Sequence, residues 1–189
     1  MRSLIFCSAL AALGATVYAA GPIPRPAPQL EVTDGAGKHL LSSYKGKVVV
    51  VQFLLTTCPH CQAFSQILTK LQTQYGPKGF QALGAAVNEA TPQMASDYAR
   101  QYAPNFPVGP LDHDQVYTFM GFSIMERPGF PQIAVIDRKG QIREQTNTLN
   151  ERQPLQDETH LRGLIEKLLA ERTTGGVRAP AATVASAKK

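Results

Sequence analysis

Residues 48–61, Val-Val-Val-Val-Gln-Phe-Leu-Leu-Thr-Thr-Cys-Pro-His-Cys, constrain the fold more than any other stretch of this chain. From Val48 to Leu55 the run is rich in β-branched and apolar residues, which predicts a strand buried on both faces. A C-x-x-C pair closes it. Behind the pair, Phe64, Ile67, Leu68, Leu71 and Tyr75 recur at three- and four-residue spacing and predict one face of a helix. Pro59 suits a first helical turn, where its missing N–H costs nothing. Gly76-Pro77 stops the pattern. Cys58 is thereby expected at a helix N-terminus just past the carboxyl end of a central strand, with Cys61 one turn further on.

Such a placement predicts redox chemistry. Unpaired N–H groups and the helix dipole favour negative charge at Cys58, lowering its pKa from a free value of about 8.5. Residues three apart on a helix have Cβ atoms about 5–6 Å apart, close to disulfide reach. One cysteine can attack a substrate and the other can resolve the mixed disulfide. A zinc site would need four ligands, and the chain offers no second C-x-x-C and no paired histidines. A structural staple across so short a loop would constrain little.

The first twenty residues read as a secretory leader. Arg2 supplies positive charge, Leu4 to Val17 is an apolar run too short to span a bilayer comfortably, and small residues follow from Ala15 to Ala20. Cys7 lies within this leader, so the mature chain is expected to hold only Cys58 and Cys61, in a periplasmic or other extracytoplasmic compartment where disulfides persist. No membrane span is expected once the leader is cleaved.

The expected organisation is a leader over 1–20, a Pro-rich linker over 21–29, one domain over 30–172 and a disordered Ala/Thr/Ser-rich tail over 173–189. The net charge of +5 overstates the basicity of the domain. Setting aside Arg2 in the leader and Arg178, Lys188 and Lys189 in the tail leaves fifteen basic residues against fourteen acidic. That balance gives no basic face for nucleic acid.

Leu30 to Thr33 and Lys38 to Leu41, joined by Asp34-Gly35-Ala36-Gly37, predict a short hairpin. Gly79 to Val87 predicts a second strand. Thr91-Pro92 opens a helix with Met94, Tyr98 and Tyr102 on one face, ended by Pro104. Asp112 is the expected cap of a short helix carrying Val116, Phe119 and Met120. Gln132 to Ile136 and Gln141 to Glu144 predict two strands about the turn Asp137-Arg138-Lys139-Gly140. Leu161, Leu164, Ile165, Leu168 and Leu169 mark a last amphipathic helix. Strands alternating with helices imply an α/β fold with a central mixed sheet flanked by helices.

At this point the chain resembles a thioredoxin-fold protein of the TlpA/ResA-like group of exported thiol–disulfide oxidoreductases, within the broader redoxin (AhpC/TSA-like) group. The resemblance is carried by Leu30-x-x-x-Asp34-Gly35-x-Gly37-Lys38, by Tyr44-Lys45-Gly46-Lys47-Val48-Val49-Val50, by the C-P-H-C pair and by Gly129-Phe130-Pro131-Gln132-Ile133-Ala134-Val135-Ile136-Asp137-Arg138-x-Gly140. It implies an N-terminal hairpin extension, a redox-active Cys58–Cys61 disulfide in place of any cofactor, and a cis-proline at Pro131 beside the cysteines. Pro59 and Phe130 are the expected substrate contacts. The implied partners are protein thiols or disulfides and an upstream redox protein, and a monomer is expected.

Three departures accompany it. Thr57 stands where such proteins commonly carry Trp, and the chain has no Trp. Gln52 stands where thioredoxins keep a buried acid, and an amide takes no proton at neutral pH. Phe130 precedes Pro131 where a smaller residue is usual. His60, between the cysteines, resembles the His of DsbA-type oxidants and is expected to stabilise the Cys58 thiolate; the plain alternative is an exposed first-turn residue. The scaffold instead resembles proteins that reduce cysteines for cytochrome c maturation, so motif and scaffold point in opposite redox directions. His39, His113 and His160 read as isolated surface residues, and Glu89 as loop decoration. Two other activities compete: a thiol peroxidase, whose P-x-x-x-[ST]-x-x-C loop would need Pro at Val51 and Thr or Ser at Leu55, and a copper-delivery protein using Cys58, Cys61 and a distant His.

Overall fold

The computed structural model describes residues 22–148 and 153–171. The predicted leader, the predicted tail and Arg172 lie outside them. Eight strands and four α-helices follow in the order β1 (Arg25–Pro26), β2 (Glu31–Asp34), β3 (Gly37–Leu40), β4 (Val48–Leu54), α1 (Pro59–Tyr75), β5 (Phe80–Ala86), α2 (Pro92–Tyr102), β6 (Val108–Pro110), α3 (Asp114–Met120), β7 (Gln132–Ile136), β8 (Gln141–Gln145) and α4 (Glu158–Ala170).

Six strands form one mixed sheet in the order β1-β8-β7-β4-β5-β6. The run Val48 to Leu54 becomes β4 at its centre, parallel to β5 and antiparallel to β7, with every residue buried. Continuous burial is why it reads as an unbroken apolar run rather than an alternating one. Its side chains still alternate between faces. Val48, Val50 and Leu54 join a core with α1, α2 and α4. Val49, Val51 and Phe53 join a second core with the β2–β3 hairpin and α3. Each fully buried Leu, Val or Phe contributes about 1.5–3 kcal/mol over an exposed one.

The hairpin is a separate two-stranded sheet laid over β6. Its close approach fixes one residue type: a Cβ on Gly109 would stand 2.0 Å from the Thr33 carbonyl oxygen. Only glycine fits there. Helix ends follow the capping chemistry. Thr91 Oγ1 accepts from Met94 N–H at 3.2 Å, and Asp157 Oδ1 accepts from Thr159 and His160 N–H.

Two strands differ from the sequence reading. β6 was not expected, because three residues ending in Pro110 carry no periodicity. The Pro-rich stretch expected as a spacer over 21–29 is laid on the sheet at β1, where Arg25 pairs with Ile142 and Pro26 with Gln141. Arg25 anchors it: its guanidinium donates to the carbonyls of Phe119 and Met120 and to Gln145 Oε1. A cation thereby satisfies carbonyls at the C-terminus of α3. Within α2, Tyr98 is buried and Tyr102 half-buried, while Met94 is turned outward.

Candidate active site

The cysteines sit where the central strand hands over to α1. Cys58 is the N-cap residue of α1, in extended conformation, and Pro59 opens the first turn. Cys58 N–H donates to the Leu55 carbonyl at 3.1 Å, and Gln62 Nε2 donates to the Thr56 carbonyl at 3.2 Å. Asn88 braces the same turn from the end of β5. Its Oδ1 accepts from Thr56 N–H at 3.1 Å and its Nδ2 donates to Thr56 Oγ1 at 3.0 Å. The β4–β5 register pairs Leu54 with Ala86, so Thr56 and Asn88 simply continue the parallel ladder as side-chain contacts. Glu89, next in that loop, is exposed and left-handed at φ 53°.

Both cysteines are free thiols. Cys58 is half-buried, and Cys61 is fully buried. Burial pushes the Cys61 thiol far up from its ordinary value. A hydrogen bond from the Leu55 backbone opposes this in part, and the neighbouring Cys58 adds to the rise. Cys61 is therefore a neutral thiol at neutral pH.

Across from Cys58 lies the loop before β7. The Phe130–Pro131 peptide is cis, and the Phe130 carbonyl lies 3.8 Å from Cys58 Sγ, at the long end of a sulfur hydrogen bond. Gln132 holds this loop from inside: its Nε2 donates to the Gly129 carbonyl at 2.6 Å and to the Asn147 carbonyl at 3.2 Å, and its Oε1 accepts from Thr146. The Phe130 ring is half-buried, 6.2 Å from the His113 ring, which lies 5.4 Å from Tyr117. His113, expected to be isolated, thus joins an aromatic cluster with Phe130 and Tyr117. His39 is likewise engaged, between Asp34 and Tyr44, and His160 meets Glu144.

The structure thus brings Cys58, Cys61, Phe130 and Pro131 together and leaves Pro59 and His60 exposed in the first turn of α1. Sequence reasoning missed the braces. Asn88 and Gln132 are polar residues at strand ends, and only the strand register would have pointed to them. Beneath Cys61 it also missed Ser65 and Tyr98, which reach Gln52 through hydrogen bonds of 2.7 and 2.8 Å. Among the described residues, no three His, Cys, Asp or Glu side chains converge as a metal site.

A mixed sheet with a half-buried and a fully buried thiol at the head of its central helix, facing a cis-proline loop, is the layout of a thioredoxin-like thiol–disulfide oxidoreductase, and the chain is an enzyme of that class. The Redoxin family model matches residues 23–164, and the chain belongs to that family. It is 29% identical over 153 residues to the thiol-disulfide oxidoreductase ResA of Geobacillus thermodenitrificans (strain NG80-2), covering 76% of this chain and 84% of that protein. A shorter match, 34% over 86 residues and 41% of each chain, is to a probable glutathione peroxidase 8-B of Xenopus laevis. The fold is shared with a putative thiol:disulfide interchange protein DsbE from Chlorobium tepidum, at a TM-score of 0.64 and 24% identity over 77% of this chain and 96% of that one.

Proposed function

We propose that this chain exchanges disulfides with protein thiols outside the cytoplasm, with Cys58 as the attacking sulfur and Cys61 as the resolving one. The observation that carries the reading is the difference in exposure between two thiols one helical turn apart: only Cys58 is open to a partner. In the reducing direction, Cys58 thiolate attacks a substrate disulfide and expels one substrate sulfur as thiolate. Cys61 then loses its proton to solvent and attacks Cys58 Sγ, closing the Cys58–Cys61 disulfide and expelling the second substrate sulfur. The substrate gains two electrons and the cysteine pair loses two. The oxidising direction is the reverse. The exchange uses the two sulfurs and no further cofactor.

Pro59 and Phe130 flank Cys58 and supply apolar contact to an incoming chain, and His60, exposed beside the pair, tunes its potential. Export rests on the amino-terminal leader pattern. The competing peroxidase reading lacks its loop, since Val51 and Leu55 occupy the positions that would need Pro and Thr or Ser.

A Cys61→Ala variant incubated with a disulfide-bearing model protein is expected to accumulate a mixed disulfide at Cys58, whereas Cys58→Ala accumulates none. Gel shift and mass spectrometry read the result. Trapping in Cys58→Ala alone would reverse the two roles.

A further inference from the structure

Directly beneath the cysteines, the largely apolar core shared by β4, α1, α2 and α4 carries a line of three polar side chains. Gln52 on β4 and Ser65 on α1 are 0% exposed, and Tyr98 on α2 is 3% exposed. Gln52 Nε2 donates to the Cys61 carbonyl at 2.9 Å, Gln52 Oε1 and Ser65 Oγ are 2.7 Å apart, and Ser65 Oγ and the Tyr98 hydroxyl are 2.8 Å apart. Three elements are thereby tied to one backbone atom of the resolving cysteine.

Donor and acceptor chemistry fixes every proton in this line. The Cys61 carbonyl only accepts, so the amide of Gln52 must turn its N–H₂ toward it. Its oxygen then faces Ser65 and must accept the single proton of that hydroxyl. Ser65 has no second proton, so Tyr98 must donate to it. The line runs one way, from Tyr98 to Ser65 to Gln52 to the Cys61 carbonyl. It ends on an oxygen and not on the sulfur, and no member is an acid. It can hold Cys61 in place, but as arranged it cannot hand the thiol a proton.

We infer that Tyr98, Ser65 and Gln52 are one positioning unit, which fixes the Cys61 backbone so that its sulfur lies in line to attack a mixed disulfide at Cys58. The inference rests on the resolving role given to Cys61 above. Burial that holds the Tyr98 phenol protonated, its pKa pushed well up, suits a line whose first member must donate. The proton that Cys61 sheds on attack goes to hydroxide or a buffer base from solvent, and the expelled substrate thiolate takes one from solvent.

The test uses the reduced protein and Ellman's reagent, which releases one thionitrobenzoate when Cys58 attacks and a second when Cys61 resolves the mixed disulfide. Tyr98→Phe, which keeps the ring and its volume, and Ser65→Ala are each expected to slow the second release about fivefold, the kinetic equivalent of one neutral hydrogen bond. The slowing should be the same factor at every pH from neutral to alkaline, with the first release unchanged. Ser65→Thr, which keeps the hydroxyl, should restore most of the loss. A loss that alters the slope of rate against pH would make the line a proton path and overturn the inference. Unchanged release in folded variants, or an equal loss in the first release, would overturn it too. A second release that persists in Cys61→Ala would instead remove the resolving role itself, whatever the three variants do.

Discussion

On one face of β4, Val49, Val51 and Phe53 join an apolar core with the hairpin and α3, and on the other Val48, Val50 and Leu54 share their layer with Gln52. The two faces are closed by different means. The hairpin face depends on how near two backbones can come, since Gly109 lies where any side chain would strike Thr33. The cysteine face depends on polar groups that must all find partners away from water. Tolerance to change should therefore be steric on one side and electrostatic on the other.

The sharpest way to break the first face is Gly109→Ala. Its new Cβ meets backbone, which cannot step aside as a flexible side chain would, so the cost should reach about 3 kcal/mol. A urea titration followed by far-ultraviolet dichroism reads it. A midpoint close to wild type would show that the hairpin shifts freely on the sheet.

The cysteine face should announce itself at alkaline pH. Cys61 has its pKa raised on folding, so its contribution to stability is fully present below the unfolded value and is lost as pH rises toward the folded one. Reduced protein should lose about 1.4 kcal/mol per pH unit above about pH 8.5. Cys61→Ala should lack that slope. Parallel curves for the two proteins would mean that Cys61 ionises in the folded state as readily as in the unfolded one.

The smallest effect belongs to the hairpin end. Burial alone would raise the Asp34 carboxyl, but hydrogen bonds from His39 and from the Ala36 and Gly37 N–H groups outweigh it and hold it below the usual range. A depressed acid contributes stability above its unfolded pKa of about 3.9, lost as pH falls through the folded value. With solvent screening, Asp34→Asn should remove a few tenths of a kcal/mol near neutrality and flatten the acid limb of the stability curve. An unchanged acid limb would place the anchoring of the hairpin elsewhere.

What could be read from the chain alone follows the same division. β4, β5 and β7 were legible as unbroken apolar runs, and α1 and α4 by the three- and four-residue spacing of their apolar residues. β1 and β6 are two and three residues long, and a strand that short is defined by its neighbour in the sheet. Cys58 and Cys61 announced themselves by spacing, whereas Pro131 was chosen among fourteen prolines only by family resemblance. The tie from Tyr98 through Ser65 to Gln52 was not legible at all. It joins residues 33 and 13 positions apart on three elements, and local pattern carries no information at that range.

Both rims of the six-stranded sheet finish on proline. β1 ends at Pro26 and β6 at Pro110, so each outer strand is very short and lacks one of the N–H donors that a further strand would need. Another copy of the chain seeking a ladder to extend finds little purchase at either rim. On the β1 side that shield is held by the guanidinium of Arg25 together with backbone pairing to β8 and the Ala27 N–H bond to the Gly140 carbonyl. Releasing it would uncover the five residues of β8 from Gln141 to Gln145, a rim long enough to recruit neighbours. The cover on that rim thus comes from a segment near the amino-terminal end, far in sequence from the strand it protects.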